Sequence, residues 1–156
     1  MAGLSNSDRK LLDDVEKYGW HVVKVMGDET GQGFDYSIGL FKTFGHPEVI
    51  VVGLNLDLIH SIINGIGADL REGKIYQSGG FYSDLIEGYD CYFTTVDVKY
   101  YHDYVGYARW FYEGNDFKLL QCVYPTKKNI YPWQDDWPEE ISNLQPVLAE
   151  TGLIFP

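Results

Sequence analysis

The segment from Phe34 to Leu54, FDYSIGLFKTFGHPEVIVVGL, constrains the fold more than any other part of this chain. Phe34, Tyr36, Ile38 and Leu40 alternate with Asp35, Ser37 and Gly39, the period of a strand buried on one face. Gly45-His46-Pro47 then breaks the pattern. Glu48 follows, and Val49-Ile50-Val51-Val52 is an unbroken apolar run of the kind found in strands covered on both sides. The segment therefore reads as a strand, a tight turn and a second strand. His46 and Glu48, two residues apart at the mouth of these strands, form the first candidate polar site.

The flanking sequence supplies further elements. Ser5 to Tyr18 predicts an opening helix, with Leu11, Leu12, Val15 and Tyr18 on one face, Ser5 or Ser7 as cap and Gly19 as stop. Trp20 to Met26 is a valine-rich strand, Gly27 to Gly33 an exposed turn, Phe34 to Phe41 the second strand and Val49 to Leu54 the third. A helix capped by Asn55 or Asp57 carries Ile59, Ile62, Ile63, Ile66 and Leu70 at helical spacing and stops at Gly73. Gly65 and Gly67 within it each cost about 1 kcal/mol relative to alanine, which points to close packing against a sheet. Lys74 to Gln77 reads as a short strand and SGGFYSDLIEG as a loop. Tyr89 to Val98 is a strong strand, with Tyr89, Cys91 and Phe93 opposite Tyr92, Thr94 and Val96. Asp103 to Glu113 returns to helical period, its stripe being Tyr101, Tyr104, Val105, Ala108, Phe111 and Tyr112, closed by Gly114. Phe117 to Tyr124 is the last strand, ended by Pro125, and a Pro- and Trp-rich stretch follows (YPWQDDWPEE). The expectation is one α+β domain over residues 1–156, with its N-terminal helix in 1–18. Its core is a mostly antiparallel, twisted sheet of about five or six strands, with about three helices packed on it.

A length of 156 residues suits one domain with a sizeable core. Net charge is −11, and no Lys or Arg follows Lys128, whereas Asp135, Asp136, Glu139, Glu140 and Glu150 all do. Such a surface repels phosphate backbones, which argues against a nucleic-acid partner and for a basic protein or a cationic groove. The plainer reading of the same charge is solubility. No apolar run approaches the ~20 residues needed to span a bilayer. MAGLSNSDRK lacks a basic and then apolar leader, so no membrane partner and a cytoplasmic location are expected. Cys91 and Cys122 lie in separate strands and are expected to stay reduced. No Cys-x-x-Cys or His-Glu-x-x-His spacing, nucleophile elbow, phosphate loop or dinucleotide fingerprint occurs, so neither metal nor cofactor is expected.

Thirteen Tyr, eight Phe and four Trp give the chain an unusual ring content. These rings fill cores, and at surfaces they form pocket walls and interfaces. Glu48 could orient His46 as a general base, or Gly45 to Glu48 could simply build the turn, which is the favoured reading. If a ligand pocket exists, Tyr36, His46, Glu48, His102 and Gln121 are its candidates. Gln121 qualifies because a buried amide must bond backbone or ligand. On the aromatic helix, Arg109 and Trp110 lie beside the stripe and are the expected exposed members. Trp133, Asp135, Asp136, Trp137, Glu139 and Glu140 combine anchors with a charged rim, a mixture suited to a protein interface.

Several segments together resemble a bacterial family, the domain of unknown function numbered 4262. They are Tyr36-Ser37-Ile38-Gly39-Leu40, Thr43-Phe44-Gly45-His46-Pro47-Glu48, YVGYARWFY at Tyr104 to Tyr112, Leu120-Gln121 with Tyr124-Pro125, Tyr131-Pro132-Trp133 and Gln145-Pro146-Val147-Leu148. The resemblance runs from about Gly19 to Leu148, with Tyr124 standing where such proteins usually have Trp. It carries no reaction or cofactor. It does imply a likeness to immunity partners of polymorphic toxins. The expected function is thus a non-catalytic domain that neutralises a cognate toxin by covering its basic cleft. The alternative is a ligand-binding or enzymatic domain holding a flat cofactor such as a flavin around His46 and Glu48.

Overall fold

In the computed structural model, which describes residues 3–29, 31–53 and 56–156, the first helix is fixed at both ends by its own sequence. Thr30, the expected strand end Leu54 and the expected cap Asn55 lie outside the described residues. Helix α1 (Asn6–Tyr18) begins at Ser5, whose hydroxyl accepts from the Asp8 amide while the Asp8 carboxylate accepts from the Ser5 amide. Gly19 ends it in the left-handed region, donating to Val15. Leu11 and Val15 are buried but Leu12 and Tyr18 are exposed, so the apolar stripe is narrower than its spacing suggested.

Strands β1 (His21–Val25), β2 (Phe34–Ile38) and β3 (Glu48–Val52) form an antiparallel meander, with Val23 opposite Tyr36 and Tyr36 opposite Ile50. Strand β2 is buried along its whole length, Asp35 and Ser37 included, and is not half-exposed as its alternation implied. The cause is a helix layer on each face of the sheet. A short helix, α2 (Leu40–Phe44), replaces the tight turn expected between β2 and β3. Gly39 enters it at φ 116°, where an added Cβ would sit 2.6 Å from the Gly19 carbonyl oxygen.

Helix α3 (Leu56–Arg71) buries the expected isoleucine stripe. Lys74 to Gln77 is not a strand. The strand of this region is β4 (Phe81–Ile86), within the expected loop, in a hairpin with β5 (Tyr89–Thr95). Asp84 takes φ 73° there and the register shifts between Tyr82 and Ile86, which removes the period that marks a strand in sequence. The expected aromatic helix is two pieces, α4 (Tyr101–Tyr104) and α5 (Gly106–Tyr112), broken at Val105 (φ −123°, ψ 43°) and preceded by a 3₁₀ turn at Val98–Tyr100. It stops on Glu113 at φ 58°. Strand β6 (Leu119–Val123) completes the sheet.

The strand order is β1-β2-β3-β6-β5-β4. Four of the five pairings are antiparallel, and β3–β6 is parallel, with Glu48 beside Leu119. The architecture is α+β, two antiparallel meanders joined by one parallel pair. One core lies under α1, α4 and α5 and includes Tyr36, Ile38, Ile50, Val52 and Leu119. The other lies under α3 and includes Val49, Val51, Phe93, Leu120 and Cys122. Cys91 and Cys122 are on neighbouring strands in this second core, and both are free thiols.

The two glycines of α3 differ. A Cβ on Gly67 would lie 2.5 Å from Trp20 Cε2 and Cζ2, whereas one on Gly65 meets nothing within 4 Å. The Trp20 ring cannot swing aside freely, because its Nε1 donates to Asn64 Oδ1 at 2.9 Å. Gly65→Ala is therefore expected to stabilise the chain by up to about 1 kcal/mol. Gly67→Ala is expected to destabilise it by about 2 kcal/mol through overpacking. Urea-melt midpoints of the two variants check the opposite signs.

Candidate functional site

Glu48 is fully buried, and its carboxylate gathers five donors. The Ser37 hydroxyl donates at 2.7 Å, and the amides of Gly39, Leu40 and Phe41 donate at 2.9, 3.1 and 3.2 Å. The Tyr112 hydroxyl, brought in by α5, is the fifth. The three amides open α2, which has no other side-chain cap, so Glu48 serves as the cap from across the corner. Burial pushes its carboxyl above the ordinary range, while Tyr112, Ser37 and the amides pull it down. Tyr112 is itself pushed up by burial and by Glu48.

His46 makes no hydrogen bond or ion pair with Glu48 among the described residues. Its Nδ1 donates to the Pro47 carbonyl at 2.8 Å, and its Nε2 lies 3.1 Å from the Tyr76 amide and 3.0 Å from the Tyr76 carbonyl. The imidazole ties the loop after α3 to the corner before β3. Tyr36 is buried, and its hydroxyl accepts from the Tyr107 amide at 3.2 Å. His102 is exposed and pairs with Asp103 at 3.1 Å. Gln121 Nε2 donates to the Pro146 carbonyl and its Oε1 accepts from the Leu148 amide, each at 2.8 Å. No two of these five side chains share a hydrogen-bond partner among the described residues, and none lines the cleft between α1, β1 and α3.

Gln121 instead docks the C-terminal segment onto the sheet. Gln145 acts with it, exchanging two bonds with the Tyr124 backbone at 3.0 and 2.9 Å, and the Tyr124 hydroxyl donates to the Val52 carbonyl. The same segment carries a stack of rings. Trp133 lies between Tyr131 and Phe155, with centroids 5.1 and 4.8 Å away, and its edge meets Tyr92. Tyr131 also abuts Phe81 of β4. Trp133 and Trp137 are half-buried and donate to the Pro156 and Ile141 carbonyls. Asp135, Asp136, Glu139 and Glu140 are all exposed, and none makes an ion pair among the described residues. Arg109 and Trp110 belong to a different surface, on α5. Arg109 bonds Asn115 at 2.7 Å, and Trp110 is exposed beside Tyr107.

Two features escaped sequence reasoning. Asp35 is fully buried, and both its carboxylate oxygens lack a hydrogen-bond partner among the described residues; burial raises its pKa to about 6 against the pull of Lys24. His60 on α3 also has a buried, unpartnered Nδ1, and burial together with Lys24 lowers its pKa. The available signals were a carboxylate on a strand otherwise made for a core and a histidine inside an isoleucine stripe. Among the described residues no cluster of three or more His, Cys, Asp or Glu is placed to hold a metal ion. No helix of the described residues is long and apolar enough to cross a membrane.

A model of the domain of unknown function DUF4262 matches residues 14–138, from within α1 to Pro138, just short of Glu139 and Glu140. No curated protein and no solved structure matches the chain.

Proposed function

The chain belongs to the DUF4262 family, and on that premise we propose that it is a non-catalytic protein-binding domain whose C-terminal segment engages a basic partner, as an immunity protein engages a toxin's cationic cleft. One observation carries this reading: four exposed carboxylates, Asp135, Asp136, Glu139 and Glu140, stand without ion pairs among the described residues on a segment held by stacked rings and two buried glutamines. A rigid support lowers the ordering cost of binding, and unpaired charge steers a partner of opposite sign. The half-buried indoles supply anchor area beside the charged rim.

The test replaces all four acids together, as Asp135→Asn, Asp136→Asn, Glu139→Gln and Glu140→Gln, and measures binding to the basic product of the neighbouring gene. At about 0.5–1 kcal/mol per rim charge, affinity should fall roughly thirtyfold to a thousandfold. The loss should lie mainly in association rate, with a flatter dependence on salt. Unaltered affinity in the quadruple variant, or no binding by the parent chain, overturns the reading.

A further inference from the structure

The chain carries −11 overall, yet one cleft gathers positive charge. It has a volume of about 600 Å³ and lies between α1, the edge strand β1 and α3. Helix α1 contributes Lys10, Asp14 and Lys17, spaced four and three residues apart and so on one face. Helix α3 contributes His60, Asn64 and Arg71, again along one face, and β1 places His21 between them. Five side chains able to bear positive charge thus surround a single carboxylate.

That carboxylate is already engaged. Asp14 accepts from His21 Nδ1 at 2.7 Å and from Lys10 Nζ at 3.3 Å. Burial works to raise its pKa, but these bonds hold it below the ordinary value. With Nδ1 turned to Asp14, His21 has only Nε2 left to offer. Asn64 Oδ1 accepts from Trp20 Nε1, so the Asn64 amide N–H groups remain as donors. Lys17 has no ion pair among the described residues, and His60 Nδ1 is buried and unpartnered. Arg71 is partly committed, donating to the Tyr18 carbonyl and lying over Trp20 and Phe44. The side-chain oxygens that line the cleft, those of Asp14 and Asn64, are thus already engaged by donors.

We infer that this cleft binds a small oxyanion, a phosphate or carboxylate group, held by Lys17, His60 and the Asn64 amide with His21 Nε2 at its side. The site is separate from the acidic C-terminal segment and does not rest on the binding function proposed for it. Binding couples to proton uptake. The charged groups bearing on His60 are Lys24 and His21 of β1, which oppose its protonation, and Asp57 of α3, which favours it. Across the cleft stand Lys10, Asp14 and Lys17 of α1, with Arg71 further along α3. An anion offsets the cationic majority, so His60 takes up a proton on binding and affinity rises as pH falls toward the ordinary histidine range.

The experiment follows the four histidine ring resonances of the full chain by NMR during titration with inorganic phosphate and, separately, with acetate, at ionic strength held constant with sodium chloride. Saturable shifts at His21 and His60, with His102 unmoved, are the expected result. Phosphate alone acting identifies phosphate as the ligand class, and both acting identifies a general oxyanion site. Lys17→Ala, at the surface, should weaken binding about tenfold, the equivalent of one charge-assisted hydrogen bond. His60→Asn should do the same and remove the rise of acetate affinity as pH falls. Absence of saturable shifts with either anion overturns the inference. So do His102 shifts as large as those of His60, or a Lys17→Ala variant that binds as the parent does.

Discussion

Glu48→Ala should cost the folded chain about 4–5 kcal/mol, at the high end for a single substitution, because it breaks a buried polar network. The alanine leaves three amides of α2 and the hydroxyls of Ser37 and Tyr112 without their acceptor in a place solvent does not reach. Each orphaned donor costs about 1–3 kcal/mol, and the losses do not sum fully because α2 can fray. Glu48→Gln keeps one acceptor oxygen but turns an N–H₂ toward donors, so about half the loss is expected. Urea denaturation measures both variants through a shift of midpoint at constant slope. Loss of function at unchanged stability would instead assign Glu48 a chemical role and remove its role as cap.

The second large effect depends on pH. Asp35 sits across β1–β2 from Lys24, with its pKa raised by burial from the ordinary 3.8 to about 6. A raised carboxyl pKa means that the folded chain holds a proton the unfolded chain has released. Its stabilising contribution is fully present below pH 3.8 and is lost as pH rises through about 6. At 1.36 kcal/mol per pH unit the loss comes to about 3 kcal/mol. Asp35→Asn removes the titration, so the stability difference between variant and parent should move in the variant's favour by about 3 kcal/mol from about pH 2.5 to about pH 8. Any fixed cost of burying the amide cancels in that comparison. A difference that stays flat with pH would show that Asp35 finds a partner for its charge.

Elements with an unbroken period were legible in the sequence. The Ile59-to-Leu70 stripe of α3 and the valine run of β3 could pack in only one way, and the structure buries both. β4 was not legible, because Asp84 and the register shift erase its alternation, and the break at Val105 was marked only by the Gly106 that follows it. The buried amide of Gln121 could be recognised as needing a partner, and it bonds backbone. Its sequence neighbours did not say that the backbone would be Pro146 and Leu148. Glu48 reads beside His46 because only Pro47 separates them in the chain, yet its partners come from residues 37–41 and from Tyr112. The cationic cleft draws on three elements spread over residues 10–71, so no spacing motif could disclose it.

The parallel pairing of β3 with β6 has a kinetic consequence. Each meander closes through neighbours along the chain, but the seam between them joins Glu48 to Leu119, 71 positions apart. Closing a loop of that length costs about 4 kcal/mol of chain entropy before any contact repays it. The two half-sheets are then the units that form early, and their union is the slow step. Until it happens, the apolar edges EVIVV and LLQCV are both unsatisfied, and in that interval another copy competes with the chain's own far half.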